Sequence, residues 1–208
     1  MTRNRRSDNI LSREGVFILE KIVSEELMAF LPVYIELKGN CTSIHTMVGG
    51  NYYVEKSLKT FLNQLAEYYI VDLKAVRKYY GELLFVKNLV PIPLNQENVF
   101  IPLKIRKPIC KNDGSTGYIN IKYIEKATEF KGKTIIHLKN KTTIDTLNTI
   151  DTVNKHIKNG YMVKRLYNER NNSNRINEYD FFTEYNKPAT KGDIALILSQ
   201  IEKVFGQD

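Results

Sequence analysis

The chain has 208 residues, of which 42% are hydrophobic and 26% charged, a composition typical of a globular protein with a sizeable core. Cys41 and Cys110 do not form a disulfide framework, and charged residues interrupt every apolar stretch near the N-terminus. These features exclude a disulfide-stabilised secreted class and a membrane-spanning class, so the expected location is the cytoplasm. The formal net charge of +8 favours a polyanionic partner, although a lysine-rich genome could supply part of this excess.

The N-terminal part, residues 1–53, is predicted to hold a basic tail and short strands. Residues 1–9 are polar and expected to be frayed. Residues 16–19 and 33–37 have the composition of strands, and residues 38–40 form a turn signal.

Helical periodicity begins after Val54. Leu58, Phe61, Leu62 and Leu65 recur at the spacing of one apolar helix face. A second helix is predicted from Asp72 to a stop at Gly81, with a single bent helix as the alternative.

The middle of the chain is predicted to be β-structure. Residues 83–102 contain three prolines, which exclude a continuous helix, and residues 99–102 indicate a strand that ends at proline. A loop at residues 110–117 precedes three β-type runs at 118–124, 134–138 and 142–147, with turns at 130–133 and 139–141. An antiparallel meander is the simplest arrangement of these runs.

The C-terminal part is predicted to alternate between helix, strand and linker. A helix beginning near Ile150 is expected to end at Gly160, followed by a strand at 161–165 and an Asn-rich linker at 168–177. A final helix is predicted over about residues 190–205. The predicted fold class is α+β, a β-rich antiparallel meander core with a helical segment near 54–80 and a C-terminal helix. The predicted domains are the N-terminal strands and tail at 1–53, a core at 54–165, and a linker with helix at 166–208.

Basic residues concentrate in the middle of the chain and predict contacts with phosphates. Lys74, Arg77 and Lys78 have i, i+3, i+4 spacing and share one helix face, for which a plain solvent-exposed face is an equal alternative. The candidate DNA contacts are Lys56, Lys59, Lys74, Arg77, Lys78, Lys104, Arg106 and Lys107.

Motifs for catalysis are missing from the sequence. The three histidines are scattered, and Cys41 with His45 could bind a metal only with distant partners. His137 is predicted to be a hydrogen-bonded strand histidine. Neither a glycine-rich phosphate loop nor a Gly-x-Ser-x-Gly turn is present. We therefore expect no enzyme activity, cofactor or metal site, with a metal-dependent nuclease as the remaining enzymatic alternative.

The region from about Val54 to Val163 resembles the ComK family, the competence transcription factors of Gram-positive bacteria. Residues 89–94 and 99–102 are similar to the family's proline-rich segment, which ends in an aromatic-aliphatic run and proline. Residues 118–125 and 134–142 follow its strand, strand and Asn/Gly-turn layout. Residues 54–61 and the basic positions after Tyr68 stand where the family has an Arg-Ser-Cys motif and basic pairs, with Leu58 in place of the cysteine.

The resemblance implies a sequence-specific activator of transcription. It would bind paired AT-rich boxes in double-stranded DNA, largely through the minor groove, as a homodimer or higher oligomer. Residues 181–187 loosely resemble the family's tail, which is bound by a proteolytic adaptor. The alternatives are a LytTR-like DNA-binding regulator, which the strand region also resembles, and a basic protein-interaction or adaptor module without DNA specificity.

Overall fold

A computed structural model describes residues 19–48, 50–109, 113–130, 132–185 and 194, with side chains described through residue 171 and at 194. The chain divides into two compact units, Met1–Tyr167 and Asn168–Asp208. The first unit contains a six-stranded and a three-stranded antiparallel sheet. The predicted α+β class, with an antiparallel β-rich core, helices after Val54 and a C-terminal helix, is confirmed.

The large sheet has the strand order β3-β2-β1-β6-β5-β4, and the small sheet has the order β7-β8-β9. The strands are β1 Leu27–Ile35, β2 Gly39–Thr46, β3 Asn51–Val54, β4 Ile92–Pro93, β5 Val99–Lys104, β6 Thr116–Asn120, β7 Ile124–Phe130, β8 Lys133–Leu138 and β9 Thr143–Thr146.

The centre of the large sheet is buried on both faces. Side chains alternate between faces along a strand, and β1, β5 and β6 carry apolar residues at consecutive positions. On one face Phe30 stacks on Tyr118, with ring centroids 5.1 Å apart, and contacts Phe100 at 5.3 Å. On the other face Ile101 and Ile119 are fully buried beneath the small sheet and the C-terminal helix.

Two helices follow β3, which confirms the two-helix prediction over the single bent helix. Helix α1, Leu58–Tyr68, buries Phe61, Leu62 and Leu65 as predicted, and Phe61 lies edge-on to Phe30 at 5.2 Å. Helix α2, Leu73–Leu83, contacts β4 and buries only Tyr80 and Gly81. The second helix therefore keeps most of its surface available to solvent.

The predicted stop of α2 at Gly81 was wrong. The helix continues to Leu83, and a Cβ at Gly81 would lie 2.9 Å from the Val86 carbonyl oxygen. This glycine allows the chain to return closely past the helix rather than ending it.

Both helices end in a Schellman-type arrangement whose left-handed residue is not glycine. Ile70 has φ +56° and Phe85 has φ +54°, although glycine is the usual residue at this position. The Val71 N–H donates to the Ala66 carbonyl at 2.8 Å, and the Val86 N–H donates to the Gly81 carbonyl at 2.9 Å. These hydrogen bonds hold two bulky residues in a conformation that disfavours a Cβ.

Replacing Ile70 by Gly is expected to raise the free energy of unfolding by about 0.5–1 kcal/mol. The left-handed conformation costs a non-glycine residue about 1–2 kcal/mol, which exceeds the extra backbone entropy of glycine, about 0.5–1 kcal/mol. Ile70 is 95% exposed, so its side chain offers no packing to lose. Urea denaturation measures the change. Ile70→Ala, which keeps the Cβ, serves as the control, and an equal gain for both variants would contradict the explanation.

The run predicted as one strand at 118–124 belongs to two strands in different sheets. A 3-10 turn, Ile121–Tyr123, separates β6 from β7, and the Asn120 side chain accepts a hydrogen bond from the Lys122 N–H at 3.1 Å. Of the predicted meander, β8 and β9 pair as expected through a turn near residue 140, whereas the strand on the other side of β8 is β7, which begins where the predicted run at 118–124 ends.

Strand β5 passes through Pro102, where the sequence predicted its end. The Lys104 N–H donates to the Asn148 side chain at 2.7 Å and so points away from β6. Residues two apart direct their backbone groups to the same side of a strand, so the nitrogen of Pro102 faces that side as well. Strand β4 pairs only with Val99 and Phe100. The proline therefore removes no strand hydrogen bond.

Helix α3, Ile150–Tyr185, overturns three predictions at once. The helix does not end at Gly160, residues 161–165 are helical rather than a strand, and the segment at 168–177 is helical rather than a linker. A Cβ at Gly160 would lie 2.7 Å from the Ile101 Cγ2 and 2.8 Å from the Ile121 Cγ2, so this glycine allows close packing of helix on sheet. The predicted helix at 190–205 lies outside the described residues except for Ile194, which is helical.

The N-terminal predictions agree with the structure only in part. Residues 19–24 are helical, so the strand predicted at 16–19 is wrong at Leu19, and residues 16–18 lie outside the described part of the chain. The strand predicted at 33–37 ends at Ile35 as the last part of β1. Residues 36–38 make the turn to β2, so residues 39–40 of the predicted turn at 38–40 already belong to β2.

Candidate nucleic-acid interface

A cleft of about 420 Å³ lies where the start of α1, helix α2 and the ends of β1 and β2 meet the chain between β5 and β6. Three of the eight predicted basic residues line it, although they are far apart in sequence: Lys59, Arg77 and Arg106. Its other polar lining comes from Asn40, Ser57, Ser115 and Thr116. None of the described lining residues is acidic, so the cleft can accept an anion.

The first turn of α1 borders this cleft. Ser57 caps the helix, because its hydroxyl oxygen accepts a hydrogen bond from the Thr60 N–H at 3.2 Å. Lys59 follows two residues later and is exposed. The N-terminus of a helix carries a partial positive charge. The helix end and the Lys59 ammonium therefore add positive potential to the same wall of the cleft.

Arg77 lines the cleft from the second turn of α2. Asp72 fixes the start of this helix by accepting hydrogen bonds from the N–H groups of Lys74 and Ala75, at 2.8 and 3.1 Å. Lys74 and Lys78 are exposed and lie on the same side of the helix as Arg77. The basic helix face predicted from the sequence thus continues from the rim of the cleft.

Arg106 lies in the cleft, but its charge is already balanced within the protein. It forms an ion pair with Asp113, whose side chain is only 1% exposed. Its Nε also donates to the Gly114 carbonyl at 3.1 Å, and its Nη2 donates to the Asn40 Oδ1 at 3.0 Å. Asp113 in turn accepts a hydrogen bond from the Ile109 N–H at 2.8 Å. Arg106 therefore holds the chain between β5 and β6 against β2, which reduces its capacity to bind a phosphate.

The remaining predicted contacts do not line the cleft. Lys56 is half-buried and its ammonium donates to the Gln64 side chain at 2.9 Å. Lys104 and Lys107 are exposed. Further lysines are exposed on the small sheet, on the other face of the large sheet from α1. The positive charge is therefore spread over the protein. The cleft differs from the other basic regions because three basic side chains from distant parts of the sequence meet there.

Sequence reasoning missed the uncharged part of the cleft. Asn40 and the adjacent pair Ser115 and Thr116 come from two separate places and match no motif. Ser57 carries a local signal, since a serine just before a helical apolar pattern indicates a cap. The cap does not by itself reveal which helix end faces a cleft.

His137 has a structural role, and Cys41 is a buried free cysteine on β2. His137 and Thr128 are hydrogen-bonded across β7 and β8 at 2.8 Å, which confirms the predicted strand histidine. Burial lowers the pKa of His45 and of His156. Cys41 and His45 lie four residues apart on β2, which separates them by about 13 Å along an extended strand. Among the described residues, no three His, Cys, Asp or Glu side chains are grouped as metal ligands would be.

No family model, curated protein or solved structure matches the chain. Within the described part of the chain, none of the helices combines the length and the apolar character needed to cross a membrane.

Proposed function

We propose that the protein is a DNA-binding transcription regulator that uses the cleft and the adjoining face of α2 to hold the backbone of AT-rich duplex DNA. The observation that supports this most is the convergence of Lys59 and Arg77 on one cleft without a described carboxylate in its lining. Neither residue is in a described ion pair. Their charges are therefore available to a phosphate.

The cleft is suited to the backbone rather than to base edges. Its volume of about 420 Å³ admits a sugar-phosphate unit, and its hydroxyl and amide groups are the neutral partners that phosphate oxygens commonly find in DNA complexes. Lys74 and Lys78 extend the contact along the strand. Selectivity for AT-rich DNA would then come from the narrow minor groove of such DNA and from the enhanced negative potential in that groove.

The remaining parts of the proposal follow the resemblance to ComK. The protein acts in the cytoplasm, without a catalytic role, and associates with itself on paired sites. Residues 181–187 loosely resemble the family's adaptor segment. Its side chains lie outside the described residues, so this part stays a prediction.

Replacing Arg77 by Ala is expected to weaken binding to an AT-rich duplex and to reduce the slope of log K against log salt by about one unit. Each phosphate contact releases about 0.9 counterion on binding, so the loss of one contact reduces the magnitude of this slope by about 0.9. Lys59→Ala should reduce the slope by the same amount, and the double variant should reduce it by about two units. Fluorescence anisotropy titrations between low and moderate salt measure both quantities, with GC-rich and single-stranded probes for comparison.

Lys141→Ala provides the matched control. This lysine is 81% exposed on the turn between β8 and β9 and is paired with Glu125, so its loss removes one charge away from the cleft. Its salt slope should equal that of the wild type. Equal slopes for Arg77→Ala and the wild type would remove the cleft from the interface, and no duplex binding at low salt would reject the proposed function.

A further inference from the structure

The cleft that holds Lys59 and Arg77 has a buried part that the proposed function does not use. Pro32, Leu62 and Tyr118 line the cleft beside these basic side chains, and all three are buried. We call these three residues the cleft floor and the two basic residues its rim. A DNA duplex offers a protein mainly its outer sugar-phosphate backbone, which the rim can contact. The floor is accessible only to a ligand small enough to enter the cleft.

Tyr118 contributes an unused hydrogen-bonding group to the floor. Its ring is fixed, because it stacks on Phe30 with centroids 5.1 Å apart and its strand lies between β1 and β5. The residue is only 9% exposed, and no group in the described part of the chain hydrogen-bonds to its hydroxyl. Buried polar groups nearly always have a partner. This hydroxyl is therefore available to a ligand in the cleft.

The rim provides groups for a phosphate. The Ser57 hydroxyl accepts a hydrogen bond from the Thr60 N–H, and the N–H groups of Leu58 and Lys59 meet no acceptor among the described residues. The first N–H groups of a helix point away from it and favour an anion. Leu58 and Lys59 line the cleft together with Arg77, so positive charge and hydrogen-bond donors meet there.

We propose that the cleft binds a nucleoside monophosphate, with the phosphate held by Lys59 and Arg77 and the base on the floor. The volume of about 420 Å³ lies within the range of small-molecule sites, about 300–1,000 Å³. A base is flat enough to lie against Pro32 and Leu62, and its polar edge can hydrogen-bond to the Tyr118 hydroxyl. The phosphate uses the residues proposed to contact DNA, so the nucleotide excludes DNA from the cleft. This regulatory consequence rests on the proposed function.

The first test is isothermal titration calorimetry of the wild type without DNA. AMP, GMP, CMP and UMP are compared with inorganic phosphate and ribose 5-phosphate at one ionic strength. At least one nucleotide should bind about tenfold more tightly than the two probes that lack a base, because contact of the base with the floor adds to the phosphate contacts. Equal affinity for nucleotides and inorganic phosphate, or no nucleotide binding, would overturn the proposal.

The second test removes single groups from the cleft. Tyr118→Phe keeps the ring on Phe30 and loses only the hydroxyl, so affinity for the nucleotide should fall about two- to tenfold without a loss of thermal stability. Arg77→Ala removes a charge-assisted contact and should lower affinity at least about tenfold. Tyr161→Phe is the matched control, because Tyr161 is exposed on α3 and does not line the cleft. Wild-type affinity in Tyr118→Phe would also overturn the proposal.

The third test is competition between the nucleotide and an AT-rich duplex. The nucleotide should displace the duplex, and simultaneous binding of both would contradict a shared cleft. Tyr118→Phe should bind the duplex with wild-type affinity and salt slope, because the duplex contacts only the rim. A wild type that binds nucleotide but no duplex would reject the DNA-binding function and leave the nucleotide site in place. Duplex binding without nucleotide binding would reject the nucleotide site alone.

Discussion

Arg106→Ala is expected to lower the free energy of unfolding by about 2–3 kcal/mol, although the sequence suggested that this residue contacts DNA. The substitution leaves the Asp113 carboxylate, which is 1% exposed, without its cationic partner. Removing one member of a buried ion pair costs about 3–5 kcal/mol, and the 18% exposure of the arginine side chain reduces that figure. Urea denaturation followed by circular dichroism measures the difference.

The double variant Arg106→Ala/Asp113→Ala separates an unpaired charge from lost packing. It should recover part of the stability, because the buried carboxylate is no longer present, and the coupling energy of the cycle should be about 1–3 kcal/mol. Lys107→Ala, at an exposed neighbouring position, should change stability by less than about 0.5 kcal/mol. An Arg106→Ala variant as stable as the Lys107→Ala variant would show that the pair does not hold this segment.

The second large effect is expected at Gly160, where Val should destabilise the protein by about 3 kcal/mol. The new Cβ alone would lie 2.7 Å from the Ile101 Cγ2 and 2.8 Å from the Ile121 Cγ2, and two further methyl groups add to the overlap. Overpacking of this kind costs about 1–3 kcal/mol, and two fully buried isoleucines leave little room for relaxation. Thermal denaturation and urea denaturation should agree on the loss.

Gly160→Ala gives a graded comparison. It gains about 1 kcal/mol of helix propensity and still overlaps both isoleucines, so its loss should be clearly smaller than that of Val. Asn154→Ala, at an exposed position of α3, isolates the propensity effect and should be neutral or stabilising. A Gly160→Ala variant more stable than the wild type would mean that the helix does not approach the sheet so closely.

Elements that depend only on neighbouring residues could be predicted from the sequence. The apolar spacing of Phe61, Leu62 and Leu65 predicted α1 and its buried face, and Asp72 marked the start of α2. Alternation and turn residues likewise predicted β8 and its pairing with β9, but not β7. These signals are local, because a helix face, a cap and a tight turn are each decided within a few residues.

Features in which distant segments meet could not be predicted in this way. In the sequence Gly160 predicts the end of a helix. In the structure α3 continues through it, because Ile101 and Ile121 occupy the space of its missing side chain. In the sequence Pro102 predicts the end of a strand. In the structure β5 continues through it, because β4 pairs only with Val99 and Phe100 and needs no N–H from residue 102.

The candidate site also has a part that the sequence predicted and a part that it could not predict. The sequence identified Lys59, Arg77 and Arg106 as basic, and it placed Arg77 on a helix face with Lys74 and Lys78. It could not show that the first three share one cleft, or that Asp113 neutralises Arg106 and leaves the other two available. Charge is a property of a residue, but the potential at a site depends on which opposite charges the fold brings within contact distance.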